Sequence, residues 1–313
     1  MKAISLLCSL SFINAQIALP TFQAVHKPHT TTSSGTFTFT NCSATGKTGP
    51  TQSQVNSTYT SGNSLYNAVT INTQGIQEWT VPETGTYTIE GYGAQGAGDY
   101  GGKGAKIVGT FNLSEGDVLK ILVGQVGYHN TSNASGRSSG GGGGTYVTKS
   151  PYNNTSSILV IAGGGGGQGV SNTCSTENLT GIGGSTENDG LAGANTTTLA
   201  NIYGTGGNGG SKSISSGASC GAGFTGNSVA YGGSWAGVAY SFVNGGEGAE
   251  VNYSPTYGAD GGFGGGGYSG GGTGDYRICR DSGGGGGGSY NYGSNQSNTA
   301  GTWEEHGQVI ITY

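Results

Sequence analysis

Four runs of consecutive glycine, Gly140 to Gly144, Gly163 to Gly167, Gly264 to Gly267 and Gly283 to Gly288, constrain this chain more than any other feature. Glycine loses more backbone freedom on ordering than any other residue and is poor in helix and strand interiors alike. Most of the glycine lies between the apolar stretch "ILVIAGG" and the C-terminal "GQVIITY", where almost no helix or strand pattern is legible. A structureless loop of that length is uncommon inside a domain. Glycine and serine tracts behave as flexible linkers, yet this stretch carries Tyr231, Trp235, Tyr240, Phe242 and Phe263, which linkers seldom do. A third arrangement is a left-handed helix of three residues per turn, like polyproline II, whose N–H and C=O groups point outward. With no side chains in the way, neighbouring helices approach until those groups bond laterally, with aromatics capping and edging the bundle. Collagen is excluded because glycine does not recur at every third position.

Glycine abundance also explains motifs that would otherwise signal an enzyme. Gly91, Gly93 and Gly96 in "TYTIEGYGAQGAG" have the G-x-G-x-x-G spacing of a dinucleotide-binding turn, but such a turn needs a helix after it to receive the pyrophosphate. Here "AGDYGGKGAKIVGTFNL" follows, too rich in glycine for a helix and alternating like a strand at its end. With 69 glycines in 313 residues, the spacing is expected by chance. Gly267-Tyr268-Ser269-Gly270-Gly271 matches G-x-S-x-G without the strand and helix of a nucleophile elbow, and Gly46-Lys47-Thr48 lacks the upstream glycine of a phosphate loop, Asn41 standing there. No catalytic residue, cofactor or metal site is expected.

The N-terminal "MKAISLLCSLSFINAQ" has one lysine and a short apolar run, the form of a secretory signal, with cleavage expected after Ala15. A Thr/Ser-rich arm over 16–36, with His26 and His29, has nothing to bury and reads as disordered. No later segment is long and apolar enough to span a bilayer. Removal of Cys8 with the signal leaves Cys42, Cys174, Cys220 and Cys279, an even number that favours two disulfides in an oxidising compartment; none is spaced as a zinc ligand. Sequons at Asn56, Asn112, Asn130, Asn154, Asn178 and Asn195 are candidate glycosylation sites. A net charge of −5 with 11 thinly spread basic residues argues against nucleic acid as a partner.

Eight short β-branched or aromatic segments bounded by turns read as strands: "TFTFTN", "IQEWTVP", "TYTIEGY", "AKIVGTFNL", "DVLKILVGQV", "TYVTKS", "SSILVIAGG" and "GQVIITY". They predict an all-β sandwich or jelly roll, with strands over about 37–162 and 307–313 and a glycine bundle over about 140–144 and 163–290. "TGPTQSQVNSTYTSG" predicts one short helix with Pro50 in its first turn, Thr48 as cap, and Val55 and Tyr59 on one face.

The segments "TGPTQSQVNSTY", "GIQEWTVPETGTYTIEGYGAQG", "GTFNLSEGDVLKILVGQVG", "GGGGGTYV", "LVIAGGGGG" and "GGFGGGG" resemble, in order, the glycine-rich extracellular region of the anaplastic lymphoma kinase and leukocyte tyrosine kinase receptors. The resemblance implies a TNF-like jelly-roll sandwich with an inserted bundle of polyglycine helices across 37–313. It also implies that Cys220 pairs with Cys279, leaving Cys42 for Cys174. Acidic residues before the last strand bind a basic cytokine in that family; Glu304 and Glu305 fall there, and Glu305 matches best. The sequence departs from the family at Val55, where a cysteine is common, and in "VGYHNTSNASGRSS", where a helical insertion is reduced. No kinase domain, EGF-like module or membrane helix is read in the chain, so no catalysis is expected.

The first functional expectation is a secreted or cell-surface recognition or adhesion module that binds a protein or glycan, with no nucleic-acid partner and no membrane span. The second is a matrix-like structural protein whose glycine array self-associates. A hydrolase would require a positioned base and nucleophile, and His129 and His306 are the only histidines within the domain.

Overall fold

The structure is a computed structural model that describes residues 35–129, 139–169, 179–194, 202–211, 217–229, 236–249, 262–277 and 280–313. The expected signal over 1–15, nearly all of the arm, His26 and His29, Cys174, Cys279, and the sequons at Asn130, Asn178 and Asn195 lie outside the described residues.

In chain order the elements are β1 (Thr36–Phe39), α1 (Gln52–Thr58), β2 (Val69–Thr73), β3 (Ile76–Thr80), β4 (Gly85–Tyr92), β5 (Gly104–Leu113), β6 (Val118–Leu122), β7 (Thr145–Lys149), β8 (Ile158–Ala162), β9 (Tyr276–Arg277), β10 (Arg280–Asp281), β11 (Tyr290–Asn291), β12 (Ser294–Trp303) and β13 (Gln308–Thr312). Two short 3₁₀ turns, Thr155–Ser157 and Phe242–Asn244, complete them. All eight expected strands form. β1 starts at Thr36, one residue inside the expected arm. Two large antiparallel sheets result, one ordered β1-β13-β4-β5-β12 and the other β11-β8-β7-β6-β3-β2, and β9 pairs with β10 as a separate two-stranded sheet. The fold is all-β.

The two sheets share one core. Phe39, Tyr87, Ile89, Ile107, Phe111, Val309 and Ile311 of the first sheet meet Trp79, Leu119, Ile121, Val147 and Val160 of the second. Alternation along each strand puts these side chains on one face. The second sheet is apolar on its other face too: Ile76, Leu122, Tyr146, Ile158 and Ile161 pack there against Phe224, Phe242 and Tyr268 of the glycine-rich region. Burial on both faces explains the unbroken apolar run of β8, since a strand covered on both sides has no polar face to show. Leu159 is the extra residue where the register shifts between Val147↔Val160 and Thr148↔Ile158, a bulge of the kind that bends a strand.

Helix α1 begins one turn later than expected. Thr51 rather than Thr48 is its N-cap: the Thr51 hydroxyl accepts from the Gln54 amide while the Gln54 side chain accepts from the Thr51 N–H. This is a capping box, read directly from Thr-x-x-Gln. Val55 and Tyr59 are buried as expected, and the Tyr59 hydroxyl donates to the buried Gln77 at 2.9 Å.

The glycine-rich stretches are ordered by backbone hydrogen bonds between chain segments. Around 163–169 these bonds repeat every third residue. The amides of Gly164 and Gly167 donate to Gly266 and Phe263, those of Gly165 and Gln168 to Ala94 and Ala97, and those of Gly166 and Gly169 to Ile182 and Leu179. The carbonyls of Gly164 and Gly167 accept from Gly287 and Gly284, those of Gly165 and Gln168 from Gly142 and Ser139, and those of Gly163 and Gly166 from Ala105 and Gly102. One segment is thus bonded to six others at 2.8 to 3.0 Å. The bonded segments reach beyond the expected bundle ranges, since 94–97 and 102–105 take part. Gly93 and Gly96, expected as chance members of a false cofactor motif, have a structural cause: a Cβ on either would collide with the carbonyl of Gly163 or Gly166.

Phe242 and Phe263 are buried, whereas Tyr240 stays 45% exposed. Phe242 lies stacked with Tyr146 at 5.1 Å and with Phe224 at 5.6 Å. Tyr231 and Trp235 lie outside the described residues. The two disulfides are not present at their described ends. Cys42 and Cys220 are buried free thiols, and Cys220 Sγ donates to the Ser211 carbonyl at 2.6 Å.

Candidate functional site

Glu304 and Glu305 occupy the short turn that carries the chain from β12 into β13. The turn is fixed from three sides. The Trp303 indole N–H donates to the His306 carbonyl at 2.7 Å, the Gln95 amide donates to the Glu305 carbonyl at 3.1 Å, and the Val126 amide donates to His306 Nδ1 at 3.0 Å. That last bond requires an unprotonated Nδ1. Burial holds the His306 imidazole below its ordinary pKa, against the opposing pull of the Glu305 carboxylate.

The two acids differ in their surroundings. Glu304 is ion-paired with Lys103, whose hydrogen bond and charge hold the carboxyl below its ordinary pKa. Glu305 is exposed, and its carboxylate makes no ion pair or hydrogen bond among the described residues. The expected pair therefore separates into one satisfied and one available carboxylate.

Beside the turn lies a cluster that the sequence reading did not single out. Tyr92 on β4 and Trp303 on β12 meet with ring centroids 4.5 Å apart. Lys106 on β5 stands over the Tyr92 ring at 5.2 Å and pairs with Glu90 at 2.8 Å. The Tyr92 hydroxyl also donates to Glu90 at 2.8 Å. Burial opposes ionisation of Glu90, but the hydrogen bonds from Lys106 and Tyr92 outweigh it and hold the carboxyl below its usual range. Lys106 is raised by its bonds to Glu90 and Tyr92. Register places Glu90 opposite Val108 and Tyr92 opposite Lys106, so the group needed pairing information that a linear pattern lacks.

A cavity of about 930 Å³ is lined in part by His306 and bounded by Thr45 to Gly49, Leu122 to His129, Gly140 to Gly144 and Asn244 to Ala249. Among the described residues no group of three or more His, Cys, Asp or Glu side chains could hold a metal ion. Ser269, of the formal G-x-S-x-G, is buried and accepts from the Gly207 amide at 3.1 Å. Among the described residues no helix is long and apolar enough to cross a membrane. Asn56, Asn112 and Asn154 are exposed.

No protein family model matches the chain. The chain is 39% identical over 107 residues to the leukocyte tyrosine kinase receptor of Mus musculus. That match takes in 30% of this chain and 11% of the receptor.

Proposed function

We propose that this chain is a secreted or cell-surface recognition module, similar to part of a receptor tyrosine kinase ectodomain, that binds an extracellular protein or glycan and has no catalytic activity of its own. In this reading the two sheets form a TNF-like jelly roll. The laterally bonded segments are polyglycine helices, because a bond pattern repeating at every third residue fits three residues per turn.

The observation that carries the functional reading is the unengaged Glu305 carboxylate on a turn braced by Trp303, His306 and Gln95, in a chain that shares 107 aligned residues with a receptor. A fixed, exposed acid flanked by an aromatic pair suits a basic partner surface, where charge steers encounter and fixes register. Exposed sequons at Asn56, Asn112 and Asn154 are compatible with glycosylation in an extracellular setting. The self-associating matrix reading is less well supported, because the runs spend most of their backbone groups on other segments of the same chain.

The test is capture of cell-surface and secreted components on the immobilised mature chain, with sedimentation of the free chain alongside. One saturable partner together with a monomeric free chain is expected. Assembly of the free chain into large species, with no partner captured, would replace this reading with the matrix one.

A further inference from the structure

We infer that the cavity beside His306 is a docking site for an extended, glycine-rich peptide strand from another chain, which would join the backbone array as one more member. The inference rests on reading the glycine segments as three-residue helices, and the cavity lining includes His306 but not Glu305.

The segment 139–143 shows why. Its Ser139 and Gly142 amides donate to Gln168 and Gly165, and its Gly140 and Gly143 amides to Tyr128 and Gln125. The carbonyls of Ser139 and Gly142 accept from Phe263 and Gly266, and those of Gly140 and Gly143 from Ala97 and Ala94. Two of three registers are thus bonded on both sides. Gly141, in the third, has neither its N–H nor its C=O bonded among the described residues, and it lines the cavity. Gly127, packed directly against Gly140 and Gly141, also has both backbone groups unbonded among the described residues, and the buried Gly264, whose carbonyl lies against Gly141, has that carbonyl unbonded; both glycines line the cavity. The Oε1 of Gln125, on the same wall, is buried without a hydrogen-bond partner.

What these groups ask for is specific. They are mainly main-chain donors and acceptors on converging segments, the complement of another main chain, as in strand addition to a sheet edge. The glycines around them leave room for backbone to come close. A volume of about 930 Å³ lies within the usual range for ligand pockets. Lys47 and Glu247 at its rim are paired at 2.8 Å, so a neutral occupant meets no uncompensated charge there.

The experiment is residue-resolved amide exchange on the full chain, with a Ser-Gly₆-Ser peptide as probe. An analogue built from N-methylglycine, which lacks the N–H donors, and maltohexaose serve as comparison ligands. Fast exchange at Gly141 and Gly127 in the free protein, with saturable protection on adding the peptide, is expected. Affinity should fall about tenfold or more for the methylated analogue and for Gly248→Phe, with the melting temperature of that variant retained. A Cβ at Gly248 meets the Lys47 Cα at 3.5 Å, an ordinary contact, and Gly248 lines the cavity, so the melting temperature serves as the control that the larger side chain has left the fold intact. Slow exchange at Gly141 in the free protein, no protection at millimolar peptide, equal binding of the methylated analogue, or protection by maltohexaose alone would each overturn the inference. The Gly165 amide separates the two levels: its rapid exchange would remove the helix reading itself, whatever the peptide does.

Discussion

Gly165 lies with its α-carbon against the carbonyl of Gly102, so that a Cβ built on Gly165 would fall within the C=O group. The collision is with backbone, which has no rotamer by which to yield. Gly165→Val is therefore expected to cost about 3 kcal/mol or more, the upper range for overpacking, and to lower the melting temperature by about 6 °C or more. Thermal melting and limited proteolysis check this. Wild-type values for both would mean that the stretch behaves as a tolerant linker.

The two threonines before α1 make a paired prediction. Thr51→Ala removes one half of the capping box and is expected to cost about 1 kcal/mol. Thr48→Ala should stay within about 0.5 kcal/mol, because it is the Thr48 backbone carbonyl that Gln125 uses, at 3.0 Å. Urea unfolding of both variants decides; an equal loss in the two would move the cap.

His306 predicts the direction of a pH effect. Burial lowers its pKa in the folded state below the ordinary value of 6.5, so over a window below that value the unfolded chain holds more protons than the folded one. Stability from this residue is fully present above pH 6.5 and is lost as pH falls through the folded pKa. His306→Gln should flatten that part of the stability curve. An unchanged slope would show that the Val126 bond does not restrict protonation.

Glu305→Ala and Glu304→Ala should differ in partner binding. If the Glu305 carboxylate becomes buried against a basic group, its truncation is expected to cost about 2 to 5 kcal/mol. Glu304 is already held by Lys103 on an exposed surface, where solvent screens the pair, so its truncation should change affinity far less. Affinity at low and physiological salt for the captured partner, with melting temperature as a folding control, is the measurement. Unchanged affinity for Glu305→Ala with folding intact would end its assignment.

Strands that bury one or both faces were legible in the sequence, including the edge strand β1 through Phe39, whereas the other edge strands β2, β11 and β12 were not. β12 has ten residues, seven of them exposed at the outset and none buried, and its register with β5 shifts twice. Nothing apolar alternates in "SNQSNTAGTW" to announce it. β2 buries only Val69 and lacks an apolar pattern for the same reason. The glycine runs signalled lateral packing, but much of the array is built from pieces that are not runs, such as Ala94–Ala97 and Leu179–Ile182. Such pieces are recognisable only by what they bond to. The position of Glu305 was readable, whereas the Lys103 that pairs with Glu304, just ahead of β5, and the Lys106 on β5 beside Tyr92 are brought there by strand register, which a single sequence does not display.

The place of β13 in the first sheet sets the order in which the molecule can be completed. β13 pairs with β1 on one side and β4 on the other, although it follows every other strand in the chain. Until Thr312 has left the ribosome, β1 and β4 lack their shared neighbour, and the apolar faces of Phe39 and Ile89 have no Val309 or Ile311 to cover them. The glycine array has a similar demand, because 163–169 awaits segments as late as 284–287. Contacts so distant in sequence make for slow folding with apolar surface exposed meanwhile. Both the sandwich and the glycine array therefore close only once β13 and the segment 284–287 are available to the strands made before them.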